Sequence, residues 1–111
     1  MDFSEFIESG KLRDHYIEID GIGEIRLTEL SGTEFSVRAK EAEALIDASI
    51  EENQQHMAWW AGRMLKGSNP TKPEVKKLLE SYSPSVYVEI YQKGLAYNGG
   101  THDAKERIEK K

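Results

Sequence analysis

Between Leu30 and Ser68 no proline interrupts the chain, and within that stretch Ile46, Ile50, Asn53, Met57, Trp60 and Met64 follow one another by four, three, four, three and four residues. Such spacing keeps all of them on one face of an α-helix. A chain of 111 residues has room for one modest core, and a stripe this long must form much of it. The expectation is one long helix, or two helices with a bend, running toward Lys66 with the stripe as a packing seam. The polar run from Glu51 to His56 predicts that the middle of this helix is exposed, bent or bridged by a neighbour.

Start and stop signals surround the stripe. Ser31 or Gly32 can serve as N-cap, and Ser31 followed by Glu34 has the spacing of a capping box, in which each side chain binds the other residue's backbone N–H. Gly67-Ser68-Asn69-Pro70 ends the stretch, since glycine fits a left-handed C-cap and proline cannot continue a helix. Thr71 caps a shorter helix with Val75, Leu78, Leu79 and Tyr82 at helical spacing. Ser83, followed by Pro84 at the first helical position, opens a last one, closed by Asn98-Gly99-Gly100. Gly94 inside that last helix costs about 1 kcal/mol relative to alanine, so it marks a close helix approach or a bend.

Upstream, Tyr16, Ile17 and Ile19 precede Asp20-Gly21-Ile22-Gly23, after which Ile25 and Leu27 alternate with Glu24, Arg26 and Thr28. Alternation about a glycine-rich turn predicts a β-hairpin at about residues 15–28, with Asp20-Gly21 supplying positive φ angles and Ile25 and Leu27 facing the core. Residues 1–13 carry Phe3, Phe6, Ile7 and Leu12 among acids and predict either a docked helical turn or a loose arm. Residues 101–111 are highly charged, with Ile108 the one large apolar side chain, and predict a flexible tail. The fold class expected is mainly α: a small helical domain over residues 1–100 with a short N-terminal hairpin, α+β in kind.

Composition narrows the function classes. A net charge of −5 with basic residues scattered among acids argues against nucleic-acid binding, which needs clustered lysine and arginine. The absence of cysteine removes disulfides, thiol nucleophiles and thiolate zinc sites together. The N-terminus lacks the basic and apolar regions of a signal peptide, and no apolar run approaches the about 18 residues of a membrane span. His15, His56 and His102 lie in different elements with no convergent partner group and no HExxH-type pair of histidines, so neither a metal nor a general base is expected. Asp20-Gly21-Ile22-Gly23 contains a GxG without the third glycine or the helix of a dinucleotide site and reads as a turn. With no nucleophile motif or phosphate loop either, no enzymatic activity and no cofactor are expected.

The aromatics point to protein binding. Trp59 and Trp60 project about 100° apart on a helix, so with Trp60 on the stripe Trp59 is left for a second contact surface or for the edge of a wide buried face. Tyr87, Tyr91 and Leu95 form one line on the last helix, and Val86, Ile90 and Tyr97 widen its apolar arc, which suggests burial on two sides, the second being another subunit. The candidate protein-binding residues are Trp59, Trp60, Met64, Tyr87, Tyr91 and Leu95.

The order of a hairpin ending in Ile25-Arg26-Leu27-Thr28-Glu29-Leu30-Ser31-Gly32, a long charged helix with an aromatic and methionine cluster, and a closing Ser83-Pro84-Ser85-Val86-Tyr87-Val88-Glu89-Ile90-Tyr91-Gln92-Lys93-Gly94-Leu95-Ala96-Tyr97-Asn98-Gly99 resembles the tail assembly chaperones of phages and prophages with long non-contractile tails. The similarity spans residues 15 to 100 and leaves Trp59-Trp60 and the first dozen residues aside. The resemblance implies a protein that binds the helical tape measure protein in the host cytoplasm, keeps it soluble, helps recruit tail tube protein, self-associates, and is absent from the mature virion. It also implies a longer form made by ribosomal frameshifting, through which tube subunits are engaged; Lys110-Lys111 fits an A-rich slippery stretch, as does Lys76-Lys77. The alternative is a small structural virion protein such as a head-tail connector or tail completion subunit. A bacterial adaptor domain unrelated to phage is a third reading.

Overall fold

The computed structural model describes residues 1–98. Helix α1 (Phe3–Ser9) is followed by a hairpin of β1 (Asp14–Ile19) and β2 (Gly23–Thr28), then by α2 (Gly32–Ala44), α3 (Ile50–Lys66), α4 (Lys72–Ser81) and α5 (Pro84–Tyr97). The molecule is thus mainly helical with an N-terminal two-stranded antiparallel sheet, the α+β class expected. The charged tail of residues 101–111, together with Gly99 and Gly100, lies outside the described residues.

In the hairpin, His15 pairs with Leu27, Ile17 with Ile25 and Ile19 with Gly23, so these residues share the inner face while Tyr16, Glu18, Glu24 and Arg26 take the outer one. Leu27 is fully buried and Ile25 packs against the core. The turn differs from expectation in one respect. Gly21 and Gly23 have positive φ (80° and 110°), whereas Asp20 does not; Ile22 N–H donates to the Ile19 carbonyl at 3.0 Å, and a positive φ at the third residue of such a turn is what glycine is needed for.

The long stripe is divided. α2 ends at Ala44, and α3 begins with its own capping box, Ser49 with Glu52, after an intervening turn. Ile46 and Ile50 fall at this break and are 75% and 77% exposed, so the seam is confined to Met57, Trp60 and Met64. Asn53 explains its place in the stripe by another route: its side-chain amide donates to the carbonyls of Leu45, Ala48 and Ser49 at 3.2, 3.4 and 3.1 Å, tying the turn to the first coil of α3.

The remaining boundaries agree with the cap signals. Ser31 and Glu34 form their capping box, Thr71 and Glu74 form another, and Gly67 closes α3 in the left-handed region. Ser83 stands at the N-cap of α5 without a side-chain cap bond; its hydroxyl lies 2.8 Å from that of Ser85 instead. Asn98 joins the two ends of the fold, accepting from Leu30 N–H at 2.7 Å while donating to the Gly94 carbonyl at 2.6 Å.

The core is Ile19, Leu27 and Leu30 from the hairpin segment, Ala58, Trp60, Ala61 and Met64 from α3, Val75 from α4, and Tyr87, Ile90 and Tyr91 from α5. α5 lies between α3 and β1, and α3 touches β2, α2, α4 and α5. Gly94 marks a close approach: a Cβ there would stand 2.6 Å from Met64 Sδ and 3.3 Å from Leu27 Cδ1. α1 forms as a helix, with Asp2 accepting from Glu5 N–H, but buries no residue, so the N-terminal segment folds locally without docking.

A candidate protein-binding groove between α2 and α3

Helix α2 buries no residue completely. It leans on the domain through half-buried Phe35 and three polar contacts, one per turn. Glu34 pairs bidentately with Arg63, at 2.7 Å from Nε and 2.8 Å from the terminal nitrogen, and the same carboxylate accepts the Ser31 N–H of the capping box. Arg63 is only 4% exposed, so this is a desolvated pair with fork geometry, and the guanidinium holds the Glu34 carboxyl below the usual carboxylate range.

Arg38 and Glu41 complete the attachment through His56. Glu41 lies 2.6 Å from His56 Nδ1, and His56 Nε2 lies 2.8 Å from the Tyr91 hydroxyl. A carboxylate only accepts, so Nδ1 carries a proton; with the ring neutral, the Tyr91 O–H donates to Nε2 and its oxygen accepts from Arg38 at 3.0 Å. Trp60 Nε1–H also donates to Glu41 at 3.3 Å. The chain Glu41, His56, Tyr91, Arg38 joins α2, α3 and α5, and every hydrogen bond along it is satisfied by this one proton arrangement. Its chemistry is that of a lock between helices: Tyr91 is buried and its hydroxyl is occupied on both sides. Sequence reasoning missed this chain because its members come from three elements, and no local spacing joins Glu41 to His56 or either to Tyr91.

Because the lock is polar and α2 stands slightly off α3, an open apolar groove of about 720 Å³ runs between them. Val37, Glu41 and Leu45 recur by four along one side, and Glu52, Gln55, His56 and Trp59 follow helical spacing along the other. Val37 is 51% exposed. Trp59 sets its ring edge-to-face against Trp60, 4.7 Å between centroids and 72° between planes, and presents its remaining surface to the groove. Glu34, Glu41, Glu51 and Glu52 are the charged residues of the lining, and no lysine or arginine joins them among the described residues.

The six candidate binding residues separate. Trp59 lines the groove and Leu95 is half-buried against the core. Trp60 contributes to the groove wall from a position only 4% exposed, and Met64, Tyr87 and Tyr91 are 0%, 2% and 9% exposed. These last three are core residues of the folded chain and offer no surface to a partner. The breadth of the α5 apolar arc has its reason within the molecule, since the hairpin covers the side that faces away from α3. Val37 and Leu45, which do shape the groove, lay in a helix with so weak an apolar pattern that the sequence did not single them out.

His15, expected to be inert, is buried at 3% exposure with its ring stacked on Tyr97, 3.7 Å between centroids. Neither nitrogen has a partner among the described residues, and burial pushes its pKa down. Among the described residues no group of three metal-ligating side chains occurs, and no helix is long and apolar enough to cross a membrane.

Fold and groove define a small α+β domain with a helix-walled apolar channel and an acidic lining. Comparison of the chain with known protein families, with curated proteins and with solved structures found no match.

Proposed function

We propose that this protein is a tail assembly chaperone of long-tailed phages or prophages, which binds the tape measure protein in the host cytoplasm, keeps it soluble and helps recruit tail tube subunits. In this reading it catalyses no reaction, binds no cofactor and leaves before the virion is complete. The observation that carries the protein-binding part is the α2–α3 groove. An apolar channel of this size, open along its length and edged by charge, is suited to covering an apolar helix face that would otherwise aggregate. Binding of this kind stabilises the soluble partner by mass action and needs no energy source. The phage assignment rests on the resemblance carried by residues 15 to 100.

One observation favours the structural-subunit alternative. α1 projects Phe3, Phe6 and Ile7 at 79%, 66% and 60% exposure, the kind of arm a virion subunit lays on its neighbour. The two readings part on persistence. Co-expression with the large helical protein encoded beside it should leave that protein soluble and co-purifying, with none of this chain in purified particles; presence in particles without rescue would establish the alternative.

A further inference from the structure

The groove specifies more than an apolar partner. Both walls are helices whose backbone hydrogen bonds are already made, so an incoming extended segment would find no sheet edge to pair with and would leave its own N–H and C=O groups unsatisfied. A helix arrives with them satisfied. Val37 and Leu45 are eight residues apart, which sets a wall of about 12 Å, two to three turns of a partner helix.

The charge of the lining is one-sided. Glu34 is neutralised by Arg63 and Glu52 is engaged in the α3 cap, whereas Glu41 and Glu51 face no lysine or arginine in the ion pairs of the described residues. Glu41 is held in place through one oxygen, which accepts from both His56 and Trp60, and its side chain is 47% exposed. A fixed carboxylate beside an aromatic wall favours a cationic side chain. A second copy of this chain supplies a poor occupant: the exposed apolar helix it offers, α1, carries Asp2, Glu5 and Glu8 around it and would meet like charge.

We propose that the α2–α3 groove takes one amphipathic helix of a partner protein, with its apolar ridge against Val37 and Trp59 and its flanking lysines or arginines paired with Glu41 and Glu51. This rests on reading the chain as a protein-binding module and adds which segment of a partner it selects.

The test uses two synthetic helices of about 18 residues, long enough to hold helical structure, that share one leucine ridge and differ in having lysine or glutamate along its borders. Fluorescence anisotropy of the labelled helices with the full chain should show the lysine helix binding about tenfold or more tightly than the glutamate helix. Val37→Arg, at a half-exposed site that leaves folding intact, and Trp59→Ala should each weaken it by about tenfold. Glu41→Gln with Glu51→Gln should remove most of the preference and flatten its salt dependence. Equal binding of the two helices, binding indifferent to Val37→Arg, or no binding of either would overturn the proposal. Self-association abolished by Val37→Arg would overturn it in favour of a second copy. If the lysine helix binds in the groove while the tape measure protein is not rescued, the chaperone reading fails alone; if rescue persists undiminished in the Val37→Arg chain, the groove proposal fails alone.

Discussion

His15 and Gly94 sit where single atoms decide the outcome. His15 is stacked, buried and without hydrogen-bond partners among the described residues, so protonating it places a charge in a desolvated site that Glu29 and Asp14 offset only in part. Its folded pKa lies below the ordinary 6.5. A depressed pKa means that its contribution is fully present above pH 6.5 and is lost as pH falls through the folded value. Glu29, Glu34 and Glu74, whose carboxyls are lowered from 4.5 chiefly by Arg13, Arg63 and Lys66, lose their contributions only further down, Glu74 toward its value of about 2. Denaturant melts across pH should therefore show two acid limbs, and His15→Phe should erase the upper one and raise stability at neutral pH by about 1 kcal/mol. An unchanged slope just below pH 6.5 would show that His15 is not the group responsible. Gly94→Ala gains helix propensity of about 1 kcal/mol but drives a methyl into Met64, which is itself fully buried and has no room to retreat; a net loss of roughly 1–2 kcal/mol is expected in thermal melts. A neutral or stabilising result would mean that α5 can move off α3.

At the scale of elements, α2 is held differently from its neighbours. α3 and α5 are joined by a continuous apolar core, while α2 depends on Phe35 and on the polar contacts of Glu34, Arg38 and Glu41. Hydrogen exchange should find the α2 amides opening well before those of α3 and α5, because local stability follows buried apolar contact; equal protection would refute this. Glu34→Ala removes the partner of a buried guanidinium together with a capping box, and should cost roughly 3–5 kcal/mol by denaturant melts, with Arg63→Met in the same chain restoring part of it. What the sequence disclosed of these elements follows from the range of the signals. Ser31 with Glu34, Gly67, Thr71 with Glu74 and Pro84 act within one turn, and they marked helix ends correctly. The Ser49 and Glu52 box is just as local, but the regular spacing from Ile46 to Met64 runs across it, so the sequence leaves one long helix or two helices with a bend equally open where the structure has two. Asn53 was the clue: a polar side chain on an apolar stripe, needed to bind the carbonyls that the break in the helix left open.

For the molecule as a whole, the arrangement legible in advance was the class of fold and the divergence of Trp59 from the stripe that carries Trp60, because hydrophobic period and the angle between adjacent helix positions depend on sequence alone. The groove was not legible, since it arises from the distance at which a weakly apolar helix comes to rest against α3. That distance is set by Glu34 with Arg63 and by Glu41 with His56, contacts separated by 29 and 15 residues. The same geometry separates the candidate residues: Met64, Tyr87 and Tyr91 belong to the core, and the apolar surface the groove leaves open is that of Trp59 with Val37 and Leu45. On the proposed function, a groove walled by α2 can lose α2 contacts without losing the core, which would let that wall adjust to a partner helix.

The most direct measurement is the soluble yield of the neighbouring large helical protein when co-expressed with the native chain, with the Val37→Arg chain, or with neither. Expected is recovery of most of that protein in the soluble fraction with the native chain, in a complex that survives purification, and a fall to near the unaided level with Val37→Arg although that chain itself remains folded. Equal insolubility in all three would contradict the claim that this domain is a chaperone.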